Sequence, residues 1–361
     1  MNVTWLTYGI SPYKMNLAQE LSKYVNLRMF LYDEKDKHRD KSFYKLDEYN
    51  FELTILSNNW RKELSNGLDN ADVLIDSMYS TVYGIYAARL AKSRKITSIL
   101  QADGGIAKNR GLIINKAMSY MMNLHDYFLS SSEYVDKYFN YYGKKPILRY
   151  RFSSLTRQDI LENKQLSLNK KEIRKQLGFS DRFSIISVGQ IIPRKGYDIM
   201  LEVLATDRLC DKIDTYIVGG QPTGQLQELI NSKNITNVHF VGSMSYEEVK
   251  KYYAASDCFL LCTREDIWGL VINEALSFGL PTITSNNCVA GLHFKDVVEL
   301  CDVNDVKGYH DKVTKFINDP NYYQIIKEKS LKEIESYTIE ESALDIYENL
   351  KKVLNDSSSK N

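Results

Sequence analysis

The feature that most restricts this chain's fold is an alternation, run through twice, of short apolar segments with longer stretches of helical spacing. In the first half "VTWLTY", "LRMFLY", "DVLIDS", "ITSILQ" and "HDYFLS" read as strands. Between them, "MNLAQELSKY" and "TVYGIYAARLAKS" set apolar residues three and four apart, the spacing of one helix face. The second half repeats the scheme with "FSIISVG", "DTYIVGG", "NVHFVG", "DCFLLC" and "LPTITS", each followed by a helix-like stretch. Strands that alternate with helices build parallel sheets from βαβ units. The expected class is therefore α/β, with two doubly wound, Rossmann-like domains of similar size.

The segment "RYRFSSLTRQDILENKQLSLNKK" is polar, charged and weakly periodic, and it reads as a linker near residues 150 to 170. We expect one domain over residues 1–155 and a second over 156–335. A last helix, near 338–354, opens with Thr338 and Glu341 at capping-box spacing. Residues 355–361, "NDSSSKN", read as a disordered tail.

Composition narrows the partners. A formal net charge of +1 leaves no overall basicity with which to hold nucleic acid. The five cysteines, Cys210, Cys258, Cys262, Cys288 and Cys301, form no CxxC or Cys/His cluster, so neither a zinc site nor a disulfide framework is expected, and a reducing cytoplasm fits. The start "MNVTWLTYGI" lacks a basic leader and is not read as a signal peptide. Residues 275–294 carry no formal charge, yet Pro281 and the Asn286-Asn287 pair make a poor membrane span. A soluble or peripheral protein is expected.

Chemistry concentrates in the second half. In "TREDIWGLVINEALSFGLP" a strand ends, a turn carries Asp266 and Trp268, and a helix begins at Gly269. The first amides of a helix have no intrahelical acceptor, and with the helix dipole those of Gly269, Leu270 and Val271 suit an anion. Glu274 lies one turn down and suits the hydroxyls of a diol beside that anion, such as a ribose. Asp266, outside the helix, suits the other end of the ligand. The plainer alternative is a pair of surface carboxylates flanking a helix start. "SVGQIIPRKG" adds a second loop, with Gly189 and Gln190 at a strand end and Arg194-Lys195 beside Gly196; two cations there suit a diphosphate. A third strand ends at Gly242, where backbone groups could meet a nucleobase. Three loops at strand ends of one domain together point to a nucleotide.

These motifs resemble the donor domain of the family-4 retaining glycosyltransferases of GT-B fold, over about residues 183–335. That family carries a Gly-Arg-x-x-x-x-Lys-Gly loop, here "GQIIPRKG", and a Glu-x7-Glu motif followed by a Gly-x-Pro strand, here "DIWGLVINEALSFGLP". The resemblance implies two domains facing across a cleft, with the last helix crossing back to the first. It implies a nucleotide-sugar donor, UDP-linked by preference, and transfer to a hydroxyl on a growing glycan or lipid-linked saccharide, as in bacterial surface polysaccharide assembly. Glu274 would hold the ribose, Lys195 and Arg194 the diphosphate, the amides of Gly269 and Leu270 the phosphate, and Asp266 the donor sugar. No metal or other cofactor is implied. Two positions depart from the pattern: Gln190 stands where the loop has arginine, and Asp266 where the motif has glutamate. The alternatives are another GT-B reaction, such as a nucleotide-sugar 2-epimerase or a sugar-phosphate synthase, or a partner subunit without catalysis.

The first half matches the family only in overall pattern, and "YGISPYKMN" replaces its usual Gly-Gly loop. Asp103, in "SILQADGG" at a strand end, is the candidate near the reacting centre, against a plain Asp-Gly turn. "DEKDKHRDK" (Asp33 to Lys41) reads as a solvated loop, "DVND" (Asp302 to Asp305) as a turn, and His125, His239 and His293 as packing residues. From Gly104 to Arg151 eight basic residues (Lys108, Arg110, Lys116, Lys137, Lys144, Lys145, Arg149, Arg151) face three acidic ones (Asp126, Glu133, Asp136), interleaved with "LIINKAMSYMMNL". The apolar part reads as a buried helix with solvated ends; the other reading is contact with an anionic membrane.

Overall fold

The structure, a computed structural model, describes residues 1–9, 11–32, 49–206, 209 and 211–358. The solvated-loop segment Asp33 to Lys41 and Cys210 lie outside them. The chain divides into two compact units, one of Met1–Ser154 with Thr338–Asn361 and one of Leu155–Tyr337.

Seven strands build the sheet of unit 1: β1 (Asn2–Tyr8), β2 (Asn26–Tyr32), β3 (Glu52–Ile55), β4 (Val73–Asp76), β5 (Thr97–Ala102), β6 (Tyr127–Ser130) and β7 (Ile147–Arg149). Their order is β3-β2-β1-β4-β5-β6-β7, and every pairing is parallel. Adjacent buried apolar residues run through the central strands, as in Trp5-Leu6, Leu74-Ile75 and Ile99-Leu100, because helices cover both faces. The closing helix Ile339–Ser358 packs on helix Pro12–Leu21 and on β7, within this unit. It takes in residues 355–358, which the sequence placed in a disordered tail; helical spacing of apolar residues stops earlier, but the backbone ladder runs on.

Unit 2 holds β8 (Phe183–Val188), β9 (Ile213–Val218), β10 (Val238–Gly242), β11 (Cys258–Leu261), β12 (Thr282–Ser285) and β13 (Val298–Cys301), in the order β10-β9-β8-β11-β12-β13 and again all parallel. The order reverses between β8 and β11. In a doubly wound sheet the loops leaving the two strands at that reversal diverge and open a crevice beyond their carboxyl ends.

The expected linker is instead ordered helix. Thr156 caps helix Arg157–Leu168, its hydroxyl accepting from the Asp159 amide while the Asp159 carboxylate accepts from the Thr156 amide. Buried Asn163 of that helix donates to Ser277 at 2.9 Å, tying it into unit 2. Helix Leu112–Met122 departs from expectation in the other direction. Only Met122 is buried, while Leu112, Ile113 and Ile114 lie exposed. Two cations of the basic stretch are also spoken for, since Arg149 pairs with Asp136 and Arg151 with Glu341 and Asp345. Among the described residues no helix is long and apolar enough to cross a membrane.

Candidate active site

The sheet of unit 2 brings the three predicted loops to one edge. Beyond β8 the Gly189 amide donates to Val218 O at 2.9 Å, and beyond β9 the Gly219 amide donates to Gly242 O at 2.9 Å. Gly189 and Gly242 therefore share a row of strand ends, as expected. Gln190 is exposed.

After Gln190 the chain makes one 3-10 turn, Pro193–Lys195, and enters helix Tyr197–Leu204 through Gly196 at φ 68°. A Cβ on Gly196 would lie 1.9 Å from Cys262 O, so only glycine lets this turn seat against the end of β11. The seating is fixed by hydrogen bonds. Arg194 O accepts from the Arg264 amide at 2.8 Å and from the Thr263 hydroxyl at 3.0 Å. Tyr197 donates to Gly189 O at 2.9 Å, closing the loop on itself.

The turn after β11 is pinned from its other side. The Asp266 amide donates to Asn287 O at 2.9 Å, and Asp266 O and Trp268 O accept from the Val289 and Ala290 amides at 3.1 and 2.8 Å. Helix Leu270–Ser277 then starts from Gly269, at φ 98°. The indole of Trp268 is 3% exposed and donates to Asn273 at 3.0 Å, so this residue packs the turn and can offer a ligand its backbone only.

These two constructions join sequence positions some seventy residues apart. Lys195 Nζ lies 2.5 Å from Asp266 Oδ2, and both side chains are nearly buried. Arg194 Nη1 stands 3.8 Å from the other oxygen of Asp266 and donates to Glu265 O at 2.7 Å. Asp266, which the sequence set at the far end of a ligand, is thus in the grip of the cations. One turn into the helix, half-buried Glu274 accepts from the Tyr253 hydroxyl at 2.9 Å. Burial pushes its carboxyl up to about 7, against the pull of the Tyr253 hydrogen bond and with some help from Asp159. Tyr253 carried no signal in the sequence, because its role depends on helix Tyr246–Ala255 lying beside Glu274. A hollow of about 520 Å³ opens on the Ile191–Pro193 side of the loop, lined also by Thr223, Leu226 and Arg264. Lys195, Asp266 and Glu274 do not line it, so it is not where the charges converge.

Asp103 belongs to unit 1 and is described there. Its carboxylate accepts from Tyr13 at 2.7 Å, Tyr150 at 3.0 Å and Gln101 at 3.1 Å, with Lys14 Nζ at 3.2 Å. Burial alone would raise its pKa, but Lys14 and the tyrosine hydroxyls outweigh that and hold it below the usual range. A carboxylate so held is a weak proton acceptor. The histidines pack as expected: His125 meets Asp76 at 3.0 Å, His239 stacks on Tyr216, and His293 meets Tyr337 at 2.7 Å. In "DVND", Asp305 caps helix Val306–Asn318 and Asp302 holds Asn286. Cys258, Cys262, Cys288 and Cys301 are buried thiols.

Residues 169–333 match the family model described as glycosyl transferases group 1. That stretch lies within unit 2. An uncharacterized glycosyltransferase of Haemophilus influenzae is 32% identical over 168 residues, 44% of this chain and 46% of the relative. The GDP-mannose-dependent alpha-(1-6)-phosphatidylinositol monomannoside mannosyltransferase of Mycobacterium tuberculosis is 29% identical over 128 residues, 33% of each chain. The chain thus matches under half the length of these curated relatives. Anabaena Alr3699/HepE, solved in complex with UDP, superposes with a TM-score of 0.79 at 14% identity, covering 98% of this chain and 100% of that one. At that identity the likeness concerns the fold, and the fold is GT-B.

Proposed function

We propose that this protein transfers a sugar from a nucleotide-sugar donor to a hydroxyl acceptor, with the donor bound at the β8/β11 reversal of unit 2. The observation that carries the reading is the meeting there of Lys195, Arg194 and Asp266 with the start of helix Leu270–Ser277. Lys195 and Arg194 face the diphosphate, the amides of Gly269, Leu270 and Val271 cap it, and Glu274 accepts from the ribose hydroxyls. Diphosphate competes with Asp266 for Lys195, which frees the Asp266 carboxylate to accept from the donor sugar's hydroxyls. UDP is the nucleotide of choice, supported by the UDP bound to HepE, although the mycobacterial relative's name specifies GDP-mannose.

Transfer breaks the bond from the sugar's anomeric carbon to the diphosphate and forms one to the acceptor oxygen, with retention of configuration. The acceptor proton passes to a departing diphosphate oxygen. Asp103, ionised and already accepting three hydrogen bonds, orders Tyr13, Lys14 and Tyr150 rather than taking that proton. The protein contributes positioning and countercharge. Because two lysine and arginine cations and a helix terminus supply that charge, no divalent metal is required, and turnover persists in excess EDTA. The acceptor is a glycan or lipid-linked saccharide, and the work takes place in the cytoplasm, at the inner face of a membrane.

The test is a panel of UDP- and GDP-sugars followed by NMR of the released sugar. Slow donor hydrolysis giving first the anomer of the donor supports retaining transfer. Release of the opposite anomer excludes retention, and no hydrolysis of any sugar, with nucleotide still bound, points to a partner subunit that has lost catalysis.

A further inference from the structure

Helix Leu112–Met122 lies on the surface of unit 1 with its apolar residues outward. Leu112 is 73% exposed, Ile113 84%, Ile114 50% and Tyr120 53%. Leu112, Lys116 and Tyr120 recur at four-residue spacing and, with Ile113 and Ala117, make one exposed face. Contiguous exposure of this kind marks a contact surface rather than the scattered apolar residues normal on proteins.

The face is also one-signed. Lys108 and Arg110 precede it, Lys116 lies within it, and Arg89 on helix Val82–Ser93 donates to the Tyr120 hydroxyl at 2.8 Å. From Gly104 to His125 the sequence contains no Asp or Glu. The approach to the helix is built, not frayed. Tyr142 donates to Lys108 O at 2.5 Å, while Asn109 Oδ1 accepts from the Gly111 amide at 3.1 Å and from Asn115 at 3.0 Å.

We propose that this face docks on the surface of a bilayer containing anionic lipid. Leu112, Ile113 and Ile114 enter the boundary between headgroups and acyl chains, Tyr120 sits at headgroup level, and Lys108, Arg110 and Lys116 meet the lipid phosphates. A second copy of the chain fits poorly, since a two-fold contact would set these cations against themselves. A single short helix gives weak, reversible attachment. The proposal shares with the functional reading only its membrane location, and the donor site plays no part in it.

The test is co-sedimentation of the full chain with phosphatidylcholine vesicles, with and without phosphatidylglycerol, over a range of salt. The expected result is binding that needs phosphatidylglycerol and weakens with salt. Lys116→Ala should lower partition about fivefold, and Ile113→Asp by roughly tenfold or more. Ile113→Trp, at a site without packing to disturb, should show a blue-shifted emission on anionic vesicles alone. Nucleotide binding should be the same in all three variants, so failure here is distinct from failure of the donor reading. Equal sedimentation with neutral vesicles, wild-type binding by Ile113→Asp, or self-association in light scattering that Ile113→Asp abolishes would each overturn the proposal.

Discussion

In unit 1, Asp103 beyond β5 is met by Tyr13, Tyr150, Gln101 and Lys14; in unit 2, Asp266 beyond β11 is met by Lys195 and, more distantly, Arg194. The first carboxylate has its acceptor capacity filled by its own fold. The second sits beside a helix start whose first amides have no acceptor within the helix, next to cations that an anion can claim. A polar group saturated from within holds architecture together, whereas a cation with one exchangeable partner beside open amides is disposed to take a ligand. In sequence both aspartates follow a strand, Asp103 directly before a glycine and Asp266 three residues before one.

Substitutions that separate stability from function would break or sharpen this contrast. The largest effect is expected from Gly196→Ala, whose Cβ would overlap Cys262 O at the rigid end of β11. It should cost about 3–5 kcal/mol by chemical denaturation, in the range of severe backbone and packing defects. Next come the two lysines. Lys14→Ala leaves the half-buried Asp103 carboxylate without its cation and should cost about 3 kcal/mol of stability. Lys195→Met should cost less, because Arg194 remains near Asp266, yet lower turnover about 100-fold or more with donor KM little changed. If Lys195→Met lost stability like Lys14→Ala and kept its turnover, the two aspartates would have the same role.

Glu274→Gln should weaken nucleotide binding by about 1.5–3 kcal/mol, the scale of a hydrogen bond to a charged group. Its pH dependence gives a sharper signature. The carboxyl titrates near 7 in the fold, against an ordinary value of 4.5. The folded state therefore holds a proton that the unfolded state releases, and stability falls as pH rises from about 4.5 to about 7, levelling above that. Glu274→Gln should remove that fall and be the more stable protein at pH 8 without ligand, while nucleotide affinity of the wild type rises through pH 7. Calorimetric unfolding at pH 5 and 8 checks the first statement and titration of UDP the second. The smallest effect is expected from Gln190→Arg, which restores the family's charge at an exposed position and should change diphosphate affinity by less than about 1 kcal/mol.

Sequence alone located the buried strands, because a run such as "FSIISV" or "CFLL" has no soluble alternative to a core. It missed β3, β7 and β13, which are three or four residues long and include Glu52, Arg149 and Glu299. It read helix Arg157–Leu168 as a linker because few of its residues are buried and its start is set by a cap rather than by periodicity. It put helix Leu112–Met122 inside because apolar residues usually are; only the fold showed Leu112, Ile113 and Ile114 exposed. At the donor site the loops and residue types were legible from spacing. The Lys195–Asp266 and Tyr253–Glu274 contacts were not, since they depend on strand order and helix placement, which pair positions 71 and 21 residues apart.

Whether the β8/β11 loops of unit 2 bind the nucleotide can be read from hydrogen–deuterium exchange of the full chain with and without saturating UDP, or GDP if that is the nucleotide bound. Exchange should slow in residues 189–196 and at the start of helix Leu270–Ser277, with the Gln101–Asp103 strand end of unit 1 unchanged. Protection confined to unit 1, or a bound nucleotide that leaves both unit 2 loops exchanging as before, would contradict nucleotide binding by those loops.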